Sequence, residues 1–80
     1  MTESEALALI EEVVRQETGS INFKLDSQMT ADDVPGWDSL AHGRIVLALE
    51  VSLGRSIDID ATYEAATMGD LAALVRATVL

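Results

Sequence analysis

The stretch Gly36-Trp37-Asp38-Ser39-Leu40 follows the chain's one proline, Pro35, and runs into an apolar segment, Ile45-Val46-Leu47-Ala48-Leu49, that reads as a helix. Pro-Gly marks a turn, and Asp38 has the form of an N-cap, because its carboxylate can accept the orphan N–H groups of a first helical turn. The predicted helix starts at Ser39, runs to about Leu53 and stops at Gly54. At about 100° per residue, Ile45, Val46, Leu49 and Leu53 gather on one arc, and Leu40, Leu47 and Val51 gather on another, a third of a turn or more away. A helix needs one core face. One arc is therefore packed, and the other is either covered by a neighbouring element or left for a partner.

Working outward, Thr2 to Glu17 reads as an amphipathic helix with Ala6, Leu7, Ile10, Val13 and Val14 at helical spacing and Glu5, Glu11, Glu12 and Arg15 facing out. Thr2 with Glu5 forms a capping-box pattern, and Gly19 is the stop signal. From Ser20 to Trp37 no long helix is legible. Ile21, Phe23 and Leu25 alternate with polar residues as a strand would, but the only other alternating piece is Ile57 to Asp60, too little for a sheet. The segment is read as a long loop pinned by Phe23, Leu25, Met29, Val34 and Trp37, with a helical turn near Thr30 to Val34. Residues 55–63 form a second connection with Ile57 and Ile59 as core plugs, followed by a short helix near Ala61 to Ala65 capped by Asp60. The last helix opens at Thr67, with Asp70 completing a capping box, and carries Leu71, Leu74, Val75 and Val79 on one stripe. The expectation is all-α: a small four-helix bundle, three main helices and one short one, with a long first loop, forming a single domain over residues 1–80.

Composition narrows the function. Eighty residues, 49% of them hydrophobic, can close one small core and leave little room for a deep catalytic cavity. There is no cysteine, hence no disulfide, thiolate nucleophile or cysteine zinc site, and the single histidine, His42, excludes a multi-histidine metal centre. A net charge of −9, from 14 acidic and 5 basic residues, argues against nucleic acid, whose phosphates require clustered Lys and Arg. No apolar run approaches the roughly 18 residues of a membrane span, and the acidic Met1 to Glu5 is unlike a signal peptide, so a cytoplasmic monomer is expected.

Ser39 would sit in the positive end of the helix macrodipole beside N–H groups without helical partners, a favourable place for a phosphate. The plainer reading of an Asp-Ser helix start is that both residues only cap. Ser39 and His42 are three apart and so share a helix surface, but the glycines of a nucleophile elbow are missing and no second glycine-rich turn offers an oxyanion hole. Catalysis by the chain itself is not expected.

The run Trp37-Asp38-Ser39-Leu40, with Leu7, Ile10 and Val14 before it and Ile45 to Glu50, Gly54, Ile57, Ile59 and Ala66-Thr67-Met68-Gly69-Asp70-Leu71 after it, resembles the acyl carrier protein family and its aminoacyl and peptidyl carrier relatives over essentially the whole chain. The resemblance implies that a phosphopantetheinyl transferase moves 4′-phosphopantetheine from coenzyme A onto Ser39, and that acyl or aminoacyl groups then ride as thioesters on the arm. It implies that Asp38 stands beside the transferase's magnesium, and that an acyl- or aminoacyl-loading ligase and a downstream synthase or transferase are the partners. The second helix is the family's docking surface, which gives Trp37, Leu40, Arg44, Leu47 and Val51 a partner-facing reading. His42, one turn from Ser39, is a candidate for touching the phosphate or the mouth of a cargo pocket, the plainer reading being a half-buried surface histidine. Fatty-acid carriers have acidic residues along this helix, where this chain has Ala41-His42-Gly43-Arg44. That departure points to a specialised pathway and to partners with acidic contacts. The competing reading is a helical interaction module in which Ser39 is merely part of a cap.

Overall fold

The computed structural model describes residues 1–19 and 24–79. Its elements are α1 (Glu3–Thr18), a 3₁₀ turn (Ala31–Asp33), α2 (Ser39–Leu53), α3 (Ile59–Glu64) and α4 (Met68–Thr78). Among the described residues there is no strand, so the chain is the all-α bundle its periodicity predicts. No helix among them is long and apolar enough to cross a membrane.

Each long helix starts where its side chains can satisfy its first turn. The Thr2 hydroxyl accepts from the Glu5 N–H while the Glu5 carboxylate accepts from the Thr2 N–H, and Thr67 and Asp70 repeat the reciprocal pair at α4. Helices α1 and α2 end at Gly19 and Gly54 in left-handed conformation. Helix α1 packs against both α2 and α4, and α3 touches α2 and α4. Ile10, Val13, Val14, Ile45, Leu49 and Val75 are fully buried at the centre. Each such side chain contributes about 1.5–3 kcal/mol by leaving water.

The long first loop is tied to the bundle in three ways. Leu25 and Val34 are buried, and Met29 and Trp37 pack against the core. Glu11, expected to face out, turns one oxygen to the Leu25 N–H at 2.8 Å. The far end of the loop docks on the start of α4, where the Met68 and Gly69 N–H groups donate to the Met29 and Ser27 carbonyls at 2.7 and 3.0 Å. A Cβ at Gly69 would lie 3.0 Å from the Ser27 carbonyl oxygen, closer than ordinary contact, so the approach favours glycine. The expected anchor Phe23 and the alternation through Ile21 lie outside the described residues.

The second connection corrects one expectation. The cap of α3 is Asp58, not Asp60: its carboxylate accepts from the Asp60 and Ala61 N–H groups, so the helix begins at Ile59. That start puts Ile59 on the solvent side, 40% exposed, where a core plug was expected, and turns Thr62 inward as the one buried residue of α3. Ile57 is buried as expected, and its N–H donates to Glu50 at 2.7 Å.

Most of the acidity therefore has a local task. Eight of the 14 acidic residues, Glu5, Glu11, Asp26, Asp33, Asp38, Glu50, Asp58 and Asp70, accept backbone N–H groups at helix starts and loop ends. Carboxylates here do what longer elements would otherwise do, satisfying main-chain donors where the chain leaves regular structure.

Candidate functional site

The turn before α2 is held at an unusual closeness to the end of α1. Gly36 has φ of +85°, and a Cβ there would come 3.0 Å from the Cβ of Thr18. A side chain would meet both a left-handed backbone and a clash, which is why glycine precedes Trp37. The Trp37 N–H closes the turn on the Val34 carbonyl at 3.2 Å. Asp38 then caps α2, one carboxylate oxygen accepting from the Ala41 N–H at 2.8 Å.

Ser39 is the first residue of α2 and is exposed. Its side chain has no hydrogen bond among the described residues. The N–H groups of Ser39 and Leu40 have no carbonyl four residues back within the helix. An exposed hydroxyl thus stands at the positive helix end, next to the capping carboxylate of Asp38.

Three residues further along, His42 is 9% exposed and engaged at both ring nitrogens. The Trp37 indole N–H donates to Nδ1 at 3.0 Å, and Nε2 lies 2.8 Å from the Thr62 hydroxyl oxygen. The direction of the second bond is fixed by the third: the Thr62 hydroxyl donates to the Ile59 carbonyl at 2.6 Å, which can only accept. Nε2 must therefore carry the proton and donate to Thr62. Indole N–H is a donor only, so Nδ1 must be the bare nitrogen. Both bonds require the same neutral tautomer. Tyr63 stacks on the ring with centroids 4.2 Å apart and planes at 22°, and Trp37 lies tilted at 5.9 Å. Burial holds the imidazole below its ordinary value, with no charge contributing.

The exposed side of α2 differs from its core side. Leu40, Leu47 and Val51 are 76%, 60% and 76% exposed, so the second apolar arc is not covered by the bundle. Arg44 shares that face in sequence register, and its Nε lies 3.7 Å from Glu17 across to α1. Glu17, Arg44, Leu47, Ala48 and Val51 line an open groove of about 410 Å³. Glu50, the only carboxylate within α2, is turned to the Ile57 N–H. The apolar face consequently carries a guanidinium and no carboxylate of its own helix.

The residues expected at the site thus separate into two sets. Asp38 and Ser39 share the helix start, and Leu40, Arg44, Leu47 and Val51 share an exposed stripe. Trp37 and His42 turn inward and bond to each other, with both imidazole nitrogens taken by protein groups rather than presented to a ligand at Ser39. Thr62 and Tyr63 were not foreseen, because nothing in the sequence says which face of a six-residue helix turns inward.

No protein-family model and no curated protein matches the chain. Its all-helical architecture does have a counterpart among solved structures. The solution structure of the holo acyl carrier protein from Geobacter metallireducens matches it with a TM-score of 0.82 at 27% identity, covering 92% of this chain and 85% of that one. The chain has the acyl carrier protein fold, the fold of a carrier and not of a family of catalysts.

Proposed function

We propose that the chain is an acyl carrier protein that presents acyl or aminoacyl groups to partner enzymes on a 4′-phosphopantetheine arm attached to Ser39. The observation that carries the reading is the exposed, unbonded Ser39 hydroxyl at the first position of α2 within this fold. The residues present fit the group: an external hydroxyl for attachment, unpaired first-turn N–H groups and a positive helix end for its phosphate, and no side chain bonded across the serine. The matched solved structure is itself a holo protein. When bound, the arm supplies the reach and the thiol that a chain without cysteine lacks.

The chain's own residues present and are recognised. Asp38 orders the first turn and offers a carboxylate to the cation of the modifying transferase, while α2 offers Leu40, Arg44, Leu47 and Val51 as a docking stripe. With Glu50 turned to the backbone, the charge within that apolar stripe is Arg44, which an acidic partner residue can engage in exchange for Glu17 at 3.7 Å, so the favoured loading ligases and downstream synthases or transferases carry an apolar surface with acidic residues, in a specialised pathway. The exposed stripe also favours the second reading, a module that binds one partner and is never modified.

The two separate in one experiment. Purified chain incubated with coenzyme A and a broad-specificity phosphopantetheinyl transferase should gain one arm by intact mass, and Ser39→Ala none. No addition to the wild type leaves the interaction module standing.

A further inference from the structure

The geometry points to His42 as a positioning residue for modification at Ser39: one neutral imidazole, protonated at Nε2, clamps Trp37 on one side and α3 on the other, and so fixes the turn from which the serine is presented. The inference rests on the carrier reading and adds to it a residue that acts through Trp37 rather than by contact with the arm.

Three observations carry it. First, the bonds form a directed chain, from the Trp37 indole N–H to Nδ1, from Nε2–H to the Thr62 hydroxyl, and from that hydroxyl to the Ile59 carbonyl. Only one tautomer satisfies every donor, so the ring cannot turn over or swap its proton without leaving a buried group unpaired. Second, Thr62 is the only buried residue of α3, so the side chain that His42 holds is the one by which that short helix enters the interior. Third, Trp37 is two residues before Ser39, in a turn that Gly36 brings hard against Thr18. The backbone is constrained at Gly36 by α1, at Trp37 by its N–H bond to the Val34 carbonyl and at Asp38 by its cap, and the indole adds a side-chain hold on the turn's orientation, which His42 supplies. Tyr63 stacks on the ring with centroids 4.2 Å apart and adds to its hold.

A turn fixed in advance spares the modifying enzyme the cost of ordering it, so loss of the clamp should appear in KM and leave kcat near the wild-type value. Two substitutions divide the imidazole. In His42→Asn the amide oxygen sits where Nδ1 was and can still accept from Trp37, whereas in His42→Gln the amide nitrogen reaches the Nε2 position and can still donate to Thr62. The experiment measures transferase kinetics with coenzyme A on wild type and both variants, with circular dichroism confirming helix content. Long-range 1H–15N spectra are recorded alongside; the chain has one Trp and one His, so each gives a single set of ring signals.

The expected result is an Nε2–H tautomer in the wild type, a hydrogen-bonded indole signal kept in His42→Asn and lost in His42→Gln, and a KM about fivefold higher for His42→Gln alone, the scale of one net hydrogen bond. Folded variants modified at the wild-type KM overturn the positioning role and leave the carrier reading intact. Equal losses in both variants overturn the route through Trp37. A wild type that takes no arm overturns the carrier reading and the positioning role together, while the spectra still report whether the clamp exists.

Discussion

Asp38 carries two roles that its substitution by asparagine can pull apart. In the folded chain one of its oxygens accepts the Ala41 N–H at 2.8 Å, closing the first turn of α2. Replacing an N-cap by alanine removes that bond and costs about 1 kcal/mol, within a range of roughly 0.5–2. Loss of the negative charge at the helix start adds about 0.3–1 kcal/mol in a surface setting. For a chain of 80 residues, 1 kcal/mol corresponds to about 4–8 °C in melting temperature, so Asp38→Ala, at about 1.3–2 kcal/mol in all, should melt roughly 5–16 °C lower. Asparagine caps as well as aspartate and lacks only the charge, so Asp38→Asn should lose less than half of that. Modification should not follow the same order. If the carboxylate holds the transferase's cation, both variants should lose about tenfold or more in kcat/KM, equivalent to about 1.4 kcal/mol of transition-state binding. Thermal melts by circular dichroism and transferase kinetics at a fixed magnesium concentration give both quantities. Asp38→Asn modified at the wild-type rate would refute the cation role and leave Asp38 as a cap alone; Asp38→Asn melting as low as Asp38→Ala would refute the capping account.

The remaining predictions concern stability. Because burial lowers the His42 imidazole from its ordinary 6.5, the unfolded chain binds the proton more readily than the folded one just below that pH. The stability linked to His42 is therefore complete above pH 6.5 and is lost as pH falls from there through the lowered folded value. Protonation at Nδ1 also turns the acceptor of the Trp37 bond into a donor. Urea titrations across that window should show a fall in wild type that is absent from His42→Asn; parallel curves would contradict it. Gly43→Ala should raise stability by about 0.5–1 kcal/mol in the same titrations, since a Cβ at that position meets nothing within 4 Å and glycine is a poor residue inside a helix. A destabilised variant would mean that the position is not open.

The carboxylates show why charge was easy to count and hard to interpret. A total of −9 reads from the sequence as solubility or as attraction to basic partners. The fold assigns eight of these side chains to backbone N–H groups, some three residues away and two of them, Glu11 and Glu50, reaching 14 and seven residues along the chain. Local capping pairs such as Thr2 and Glu5 were legible because donor and acceptor lie within one turn. Glu11 was not, because its partner Leu25 meets it only after α1 and the long loop pack.

Three long helices, their caps and stops, and the exposed serine after Asp38 were set by local rules: periodicity, capping chemistry and the conformational needs of glycine, each acting within a few residues; Leu25 and Val34 were legible as loop anchors by their apolar character alone. Packing decided the rest. It put Asp58 rather than Asp60 at the start of α3, turned Ile59 out and Thr62 in, left Leu40, Leu47 and Val51 uncovered, and joined His42 to both Trp37 and Thr62. A six-residue helix is too short for periodicity to name its buried face, and an imidazole shows its partners only when elements distant in sequence meet. The sequence therefore placed Ser39 at the head of its helix, and the tertiary structure determined what holds the turn before it.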